Sequence, residues 1–260
     1  MALLEHTLFD GDRDLVAIAI ARMQTFCPPE GYYLAFSGGK DSQVIYDLAV
    51  HAGVPFDAHY AITTVDPPEL VRFIRDEYPD VQTDRPEKTM WQLIEDHGMP
   101  PTRIVRYCCR ELKERGGEHR FVLTGIRWAE SARRAKRGMI GACYKTNKRY
   151  LHPIIDWSNE AVWEYHRLFL PNHCCLYDEG WTRVGCVLCP MSRKVERDMQ
   201  RWPKLAESYR RACNRAWERR HARGDTMKWQ SGDDMFQWWI QRDVADKVDE
   251  SQGELFVWDN

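Results

Sequence analysis

Residues 31–53 read GYYLAF, SGGKDS, QVIYDLAVHAG, and the order of these three blocks decides the fold. GYYLAF is short, apolar and aromatic, as a buried strand is. QVIYDLAVHAG carries its apolar residues at helical spacing and stops at Gly53, a residue suited to closing a helix. The turn between them, Ser37-Gly38-Gly39-Lys40-Asp41-Ser42, is polar. Its glycines let backbone amides approach an anion without a Cβ in the way, and the following helix N-terminus offers unpaired N–H groups and a positive dipole end. Lys40 adds a charge, and the hydroxyls of Ser37 and Ser42 can donate to phosphate oxygens. The turn lacks the G-x-x-x-x-G-K-S/T spacing of a Walker A loop, so a phosphate-transferring ATPase is not indicated.

The pattern repeats on both sides. Residues 14–26 have helical periodicity. Residues 55–62 alternate like a strand, and Pro67-Pro68 starts a helix running to about Tyr78. Residues 87–97 read as helix, 102–107 (TRIVRY) as extended, and 120–126 (RFVLTGI) as a further strand, followed by a helix from about Trp128. Strands alternating with helices predict a doubly wound, mostly parallel α/β sheet whose ligand crevice lies at the carboxyl ends of its strands. The segment SNEAVWEYHRLF is helical, and from about Tyr177 onward no strand signal remains. These readings predict a nucleotide-binding α/β domain over 1–175 and a helical, cysteine-containing part over 176–260, the last residues forming a tail.

The 260 residues, with 43% hydrophobic and 29% charged side chains and a net charge of −2, suit a soluble chain with a substantial core. No apolar run approaches the roughly 20 residues of a membrane span. MALLEHTLFDGDRDL carries acids where a signal peptide carries basic residues, which predicts a cytoplasmic protein without membrane contact. In a reducing compartment, clustered cysteines serve metals, redox chemistry or sulfur transfer. Of nine cysteines, Cys108-Cys109 and Cys174-Cys175 are adjacent pairs, and Cys186-Val187-Leu188-Cys189 is a C-x-x-C. Arginine is dense over 127–137 and 193–223. Alternating Glu and Arg at helical spacing in the second stretch reads as an exposed helix face, and the interleaved Trp202, Tyr209 and Trp217 leave a nucleic-acid face open.

The complete turn between strand and helix resembles that of the PP-loop (N-type) ATP pyrophosphatases, in which it grips the pyrophosphate of ATP while the α-phosphate is attacked. The resemblance implies that Ser37, Gly38, Gly39, Lys40, Asp41 and Ser42 hold the β- and γ-phosphates of ATP with Mg2+. It implies catalytic roles for Lys40, Asp41 and Arg127. It also makes Thr63, Thr64 and Asp66, at the end of the second strand, candidates for contacts to adenosine or a metal. Asp66 reads equally well as the cap of the helix starting at Pro67-Pro68.

The adjacent pair Cys108-Cys109 with Cys186 and Cys189, in YDEGWTRVGCVLCP, resembles the ligand set of the four-iron four-sulfur (4Fe-4S) cluster in assimilatory adenylyl-sulfate reductases. HPIIDWSNEAVWEY agrees with that family, and the likeness covers roughly residues 30–190. A zinc (Zn2+) site of four cysteines fits the same residues. Gly125-Ile126-Arg127, then Glu130-Ser131 and Arg133-Arg134, matches the family's strand-end segment, where guanidinium forks meet an anionic ligand. Arg127 is favoured first, and Arg133 over Arg134, because adjacent helical positions do not face one ligand together.

Two departures separate this chain from the sulfonucleotide reductases: its phosphate loop is complete, and it lacks a late Glu-Cys-Gly nucleophile, having no cysteine after Cys213. The combination most resembles the ATP-pyrophosphatase components of DNA phosphorothioation systems and the cluster-bearing enzymes that thiolate tRNA. The expectation is adenylylation of an acceptor, such as a nucleic acid, for sulfur transfer from a donor such as a cysteine desulfurase, with room for an oligomer. Sulfur would arrive on the cluster or as a persulfide on Cys174 or Cys175, a pair that also reads as buried thiols or alternative ligands. Two other readings stand beside it: a sulfonucleotide (APS/PAPS) reductase releasing sulfite through another cysteine, and a non-catalytic nucleotide-binding scaffold.

Overall fold

A computed structural model describes residues 2–7, 11–144 and 146–241; the expected tail over 249–260 lies outside them. In chain order the elements are β1 (Leu4–Thr7), β2 (Gly11–Asp14), α1 (Leu15–Thr25), β3 (Tyr32–Phe36), α2 (Lys40–Ala52), β4 (Phe56–Ala61), α3 (Pro68–Glu77), β5 (Gln82–Asp84), α4 (Met90–His97), β6 (Phe121–Leu123), α5 (Ala132–Ala135), β7 (Ile140–Cys143), β8 (Lys148–Leu151), α6 (Asn159–Phe169), α7 (Val195–Arg201), α8 (Pro203–Ala222) and α9 (Gly232–Ile240).

Two compact units interleave along the chain. The first takes Met1–Ala61, Pro68–Asp84 and Arg115–Val184; the second takes Ile62–Pro67, Arg85–Glu114 and Gly185–Asn260. The boundary expected at 175/176 is therefore replaced by a discontinuous division, because the chain leaves the first unit after β4 and again after β5.

The first unit is built on a six-stranded sheet of order β5-β4-β3-β6-β8-β7. All neighbours run parallel except β7, which pairs antiparallel with β8. This is the expected mostly parallel α/β sheet. Its central strands are apolar on both faces, as a sheet covered by helices requires: Leu34, Leu123 and Leu151 are buried, as are Val44, Ile45 and Leu48 of α2. Trp157 and Tyr165 pack at 5.6 Å next to α6, which starts on Ser158, whose hydroxyl accepts from the Ala161 amide at 3.1 Å.

The second unit is helical. Thr89 and Gln92 form a reciprocal capping box that starts α4. Tyr209 of α8 packs on Trp91 of α4 at 4.9 Å and on Trp239 of α9 at 4.8 Å. The Trp239 indole donates to the Pro101 carbonyl at 2.6 Å. The stretch 102–107, expected to be extended, forms no strand. The Thr102 amide donates to the Val105 carbonyl at 3.1 Å and the Thr102 hydroxyl accepts the Val105 amide at 3.0 Å, so it closes into a turn that leaves Ile104 78% exposed.

Candidate functional site

The phosphate-type loop follows the carboxyl end of β3 and opens α2, as expected. Its shape is held by a cross-brace: the Ser42 hydroxyl donates to the Gly39 carbonyl at 2.8 Å and accepts the Ser37 amide at 3.2 Å. Gly38 has φ +68°, and a Cβ there would lie 2.6 Å from the Ile74 side chain, so the position admits only glycine. The Gln43 amide donates to the Gly38 carbonyl at 3.0 Å. Gly39, the N-cap of α2, offers no capping side chain, so the positive end of a thirteen-residue helix is turned toward the loop.

Lys40 is buried and its ammonium donates to Asp41 Oδ2 at 2.8 Å. Asp41 Oδ1 in turn accepts Arg127 Nε at 2.7 Å. Arg127 has no solvent exposure, and its other nitrogens donate to the Trp157 carbonyl at 3.0 Å and to Asn159 Oδ1 at 2.9 Å. The guanidinium expected to meet the ligand is thus committed to protein acceptors, and it acts on the loop through Asp41. Close packing serves the same end, since a Cβ on Gly125 would come within 2.9 Å of the Asp41 carbonyl carbon. Arg133 is exposed, whereas Arg134 pairs with Glu130, whose carboxylate also takes the Arg127 amide at 3.0 Å.

Three side chains that the sequence reading passed over belong to this site or its surroundings. The Tyr177 hydroxyl accepts the Lys40 amide at 2.9 Å, and His166 Nε2 donates to the Lys40 carbonyl at 2.9 Å. His152, just beyond β8, shares a hydrogen bond of 2.6 Å with the Thr124 hydroxyl; burial, then the charges of Arg137 and Arg134, push its pKa down to about 4. Position at the carboxyl end of a strand is the signal that could have found His152.

In the second unit Thr63, Thr64 and Asp66 lie in one tight turn. Asp66 Oδ2 accepts the Thr63 amide at 2.8 Å, so Asp66 folds back on its own segment. Thr64 takes φ +63°, and its hydroxyl accepts the Met90 amide at 2.9 Å, starting α4. The Cys186 thiol donates to the Thr63 hydroxyl at 3.4 Å, and the Val187 amide donates to the Val65 carbonyl at 2.8 Å.

The same unit brings the four expected metal-site cysteines within electrostatic reach of one another. Cys108 ends a helical turn that runs into a π-helical turn over Cys109–Lys113, a backbone form found often at functional sites. Leu188 takes φ +55°, an unusual conformation for leucine, and its amide is held by buried Asp198 at 2.8 Å. The neighbouring Cys108 thiol lowers the Cys109 pKa, with help from Arg106, 3.2 Å from the Cys109 sulfur, and from Lys113. The Cys108 thiol is pushed up by neighbouring Cys109, by burial and by the charges of Cys186 and Cys189. Lys113 is held well above its ordinary range by Cys186, Asp66 and Cys189. Four sulfurs flanked by two cations match a cluster or zinc in donor type and number. As the side chains stand, no three His, Cys, Asp or Glu groups among the described residues lie close enough together to hold an ion.

Cys174 is buried, and its pKa is raised by burial to about 11, whereas Cys175 is exposed. Four of the five arginines of α8 are paired with acids: Arg210 with Glu207 and Asp233, Arg215 and Arg219 with Glu95, Arg220 with Asp225. They form the exposed ion-pair face expected of that helix. Among the described residues no helix is long and apolar enough to cross a membrane.

The phosphoadenosine phosphosulfate reductase domain profile matches residues 31–192, which span the loop, Arg127 and all four cysteines. The chain belongs to this family. An uncharacterised protein of Methanocaldococcus jannaschii is 29% identical over 206 residues, covering 72% of this chain and 49% of its own length. A second from that organism is 27% identical, with 43% of its length covered, so the chain spans less than half of these two relatives. Adenosine 5'-phosphosulfate reductase 1 of Bacillus subtilis is 22% identical over 67% of this chain and 75% of its own. Among solved structures, the phosphoadenylyl-sulfate reductase of Candida auris matches 64% of this chain and 86% of its own at 18% identity, with a TM-score of 0.48.

Proposed function

We propose that this member of the family splits ATP to pyrophosphate and AMP, transferring the adenylyl group to an acceptor oxygen so that sulfur can replace that oxygen. The observation that carries the reading is the intact loop with Lys40 and Asp41 tied through Asp41 to buried Arg127. The acceptor oxygen attacks the α-phosphorus, the bond to the β-phosphate oxygen breaks, and pyrophosphate leaves. Loop amides, Lys40 and the hydroxyls of Ser37 and Ser42 stabilise the charge that develops on it. AMP then becomes the leaving group when a sulfur nucleophile attacks the acceptor. Mg2+, when bound, would screen the triphosphate.

The four cysteines of the second unit, Cys108, Cys109, Cys186 and Cys189, would hold a 4Fe-4S cluster, which supplies an iron position for sulfur. Zinc is the alternative ion for the same ligands. A cysteine desulfurase is the fitting sulfur donor. A nucleic acid is the fitting acceptor: Arg133, Lys136 and Arg137 are exposed, and the nearby acid Glu130 is already engaged with Arg134. We place the protein in the cytoplasm, where thiols stay reduced. Pyrophosphate release from ATP, lost on Lys40→Ala or Asp41→Ala, tests the reading.

The second reading, sulfite release from adenylyl sulfate with a thiol donor, is favoured by the likeness to the Bacillus subtilis reductase. Sulfite formed without ATP hydrolysis would decide for it.

A further inference from the structure

Lys40 is gripped through its main chain as well as its ammonium. A carbonyl oxygen only accepts, so the 2.9 Å contact from His166 to the Lys40 carbonyl puts a proton on Nε2. The imidazole is 3% exposed, and its Nδ1 has no hydrogen-bond partner. Burial, followed by the charges of His173 and Lys40, keeps this ring neutral. His166 is therefore a fixed donor to one peptide, held by Trp163 at 5.2 Å between ring centres.

On the other side of Lys40, the Tyr177 oxygen accepts the Lys40 amide at 2.9 Å. A phenol that accepts an amide keeps its own hydroxyl proton to donate. Burial holds the phenol neutral, so that proton stays in place. The hydroxyl lies on the loop itself: a Cβ built on Gly39 would be 3.5 Å from the Tyr177 hydroxyl and 3.5 Å from Ser37 Oγ. Two hydroxyls thus flank the glycine whose neighbouring amides open α2.

We propose that Tyr177 is an anion-binding residue of the loop, giving its hydroxyl proton to the pyrophosphate portion of a nucleoside triphosphate, and that His166 is the positioning residue that fixes the Lys40 peptide beneath it. The inference rests on the reading of the loop as a triphosphate site. Tyr177 lies 137 residues from Lys40 and belongs to no phosphate motif. It adds a donor from the segment 174–184 to the six residues of the turn.

Calorimetric titration of the full chain with inorganic pyrophosphate, ATP and AMP tests this. Tyr177→Phe removes the donated proton and should weaken pyrophosphate and ATP about tenfold while AMP stays within about twofold, because AMP lacks the group that the hydroxyl meets. His166→Gln keeps an N–H where Nε2 stands and should bind ATP within about threefold of the wild type, whereas His166→Leu should lose about tenfold. Pyrophosphate binding unchanged in Tyr177→Phe, or ATP and AMP weakened in parallel, would overturn the role of Tyr177. Equal losses in the two His166 variants would overturn that of His166. A wild type that takes up neither pyrophosphate nor ATP would remove the triphosphate reading itself, and the inference with it.

Discussion

Arg127 donates from Nε to Asp41 Oδ1 across 2.7 Å while no part of its side chain reaches solvent. A guanidinium so placed orients the aspartate rather than the ligand. Its remaining donors meet the Trp157 carbonyl and Asn159, joining the start of α6 to the Ser37–Ser42 loop. Arg127→Lys keeps the charge but cannot fill the fork, leaving buried acceptors unpaired. We expect a loss of about 3 kcal/mol in urea denaturation and a fall in pyrophosphate release of about a hundredfold. A variant that loses stability but keeps full turnover would limit Arg127 to the fold.

Gly125 is the second lever on Asp41. An added Cβ would press on the Asp41 carbonyl at 2.9 Å, and backbone cannot yield as a side-chain tip does. Gly125→Ala should cost about 1–3 kcal/mol and weaken ATP binding by about tenfold. Thermal unfolding and calorimetry measure both, and an unchanged affinity would detach Gly125 from the site.

The pH dependence of stability carries a contribution from His152. The unfolded imidazole takes its proton near 6.5, whereas in the folded state it does so only near 4. Between those values the unfolded chain binds more protons, so His152 lowers stability as pH falls from about 6.5 to 4, by up to ~3 kcal/mol. Wild type should lose stability relative to His152→Gln across that window, while the difference stays flat above pH 7. A difference independent of pH would contradict the assignment.

The thiol centre makes an elemental prediction. Anaerobic purification should yield iron and acid-labile sulfide with a visible absorption band, and Cys109→Ser or Cys186→Ser should abolish both. Zinc at one ion per chain with no sulfide would replace the cluster by a four-cysteine zinc site.

The sheet and its loop were legible because periodicity reports burial, and 31–53 is both strongly patterned and flanked by turn residues. The helix after the turn was read from Gln43, but it begins at Lys40, since Gly39 already serves as the cap. TRIVRY misled because Thr102, Ile104, Val105 and Tyr107 are residue types favoured in strands, while Pro100-Pro101 and the Thr102 hydroxyl close it into a turn. The hairpin of β7 and β8 is hidden in the sequence: its strands are four residues each, and Gly141 interrupts β7. The roles of Tyr177 and His166 could not be read at all, since each acts through one hydrogen bond to a main chain more than a hundred residues away. The interleaved units were hidden for a related reason. A boundary drawn at one point along a chain cannot describe a sheet that the chain leaves and re-enters.

The proposed function places a triphosphate in the loop from Ser37 to Ser42 for attack at its α-phosphorus. Pyrophosphate release from ATP labelled at the β-phosphate, measured for the wild type, Lys40→Ala and Asp41→Ala with single-stranded nucleic acid and a sulfur donor supplied, tests it most directly. The wild type should release labelled pyrophosphate, and either variant should fall by at least about a hundredfold. Label retained in ADP beside unlabelled inorganic phosphate, or equal pyrophosphate release from all three proteins, would overturn the assignment.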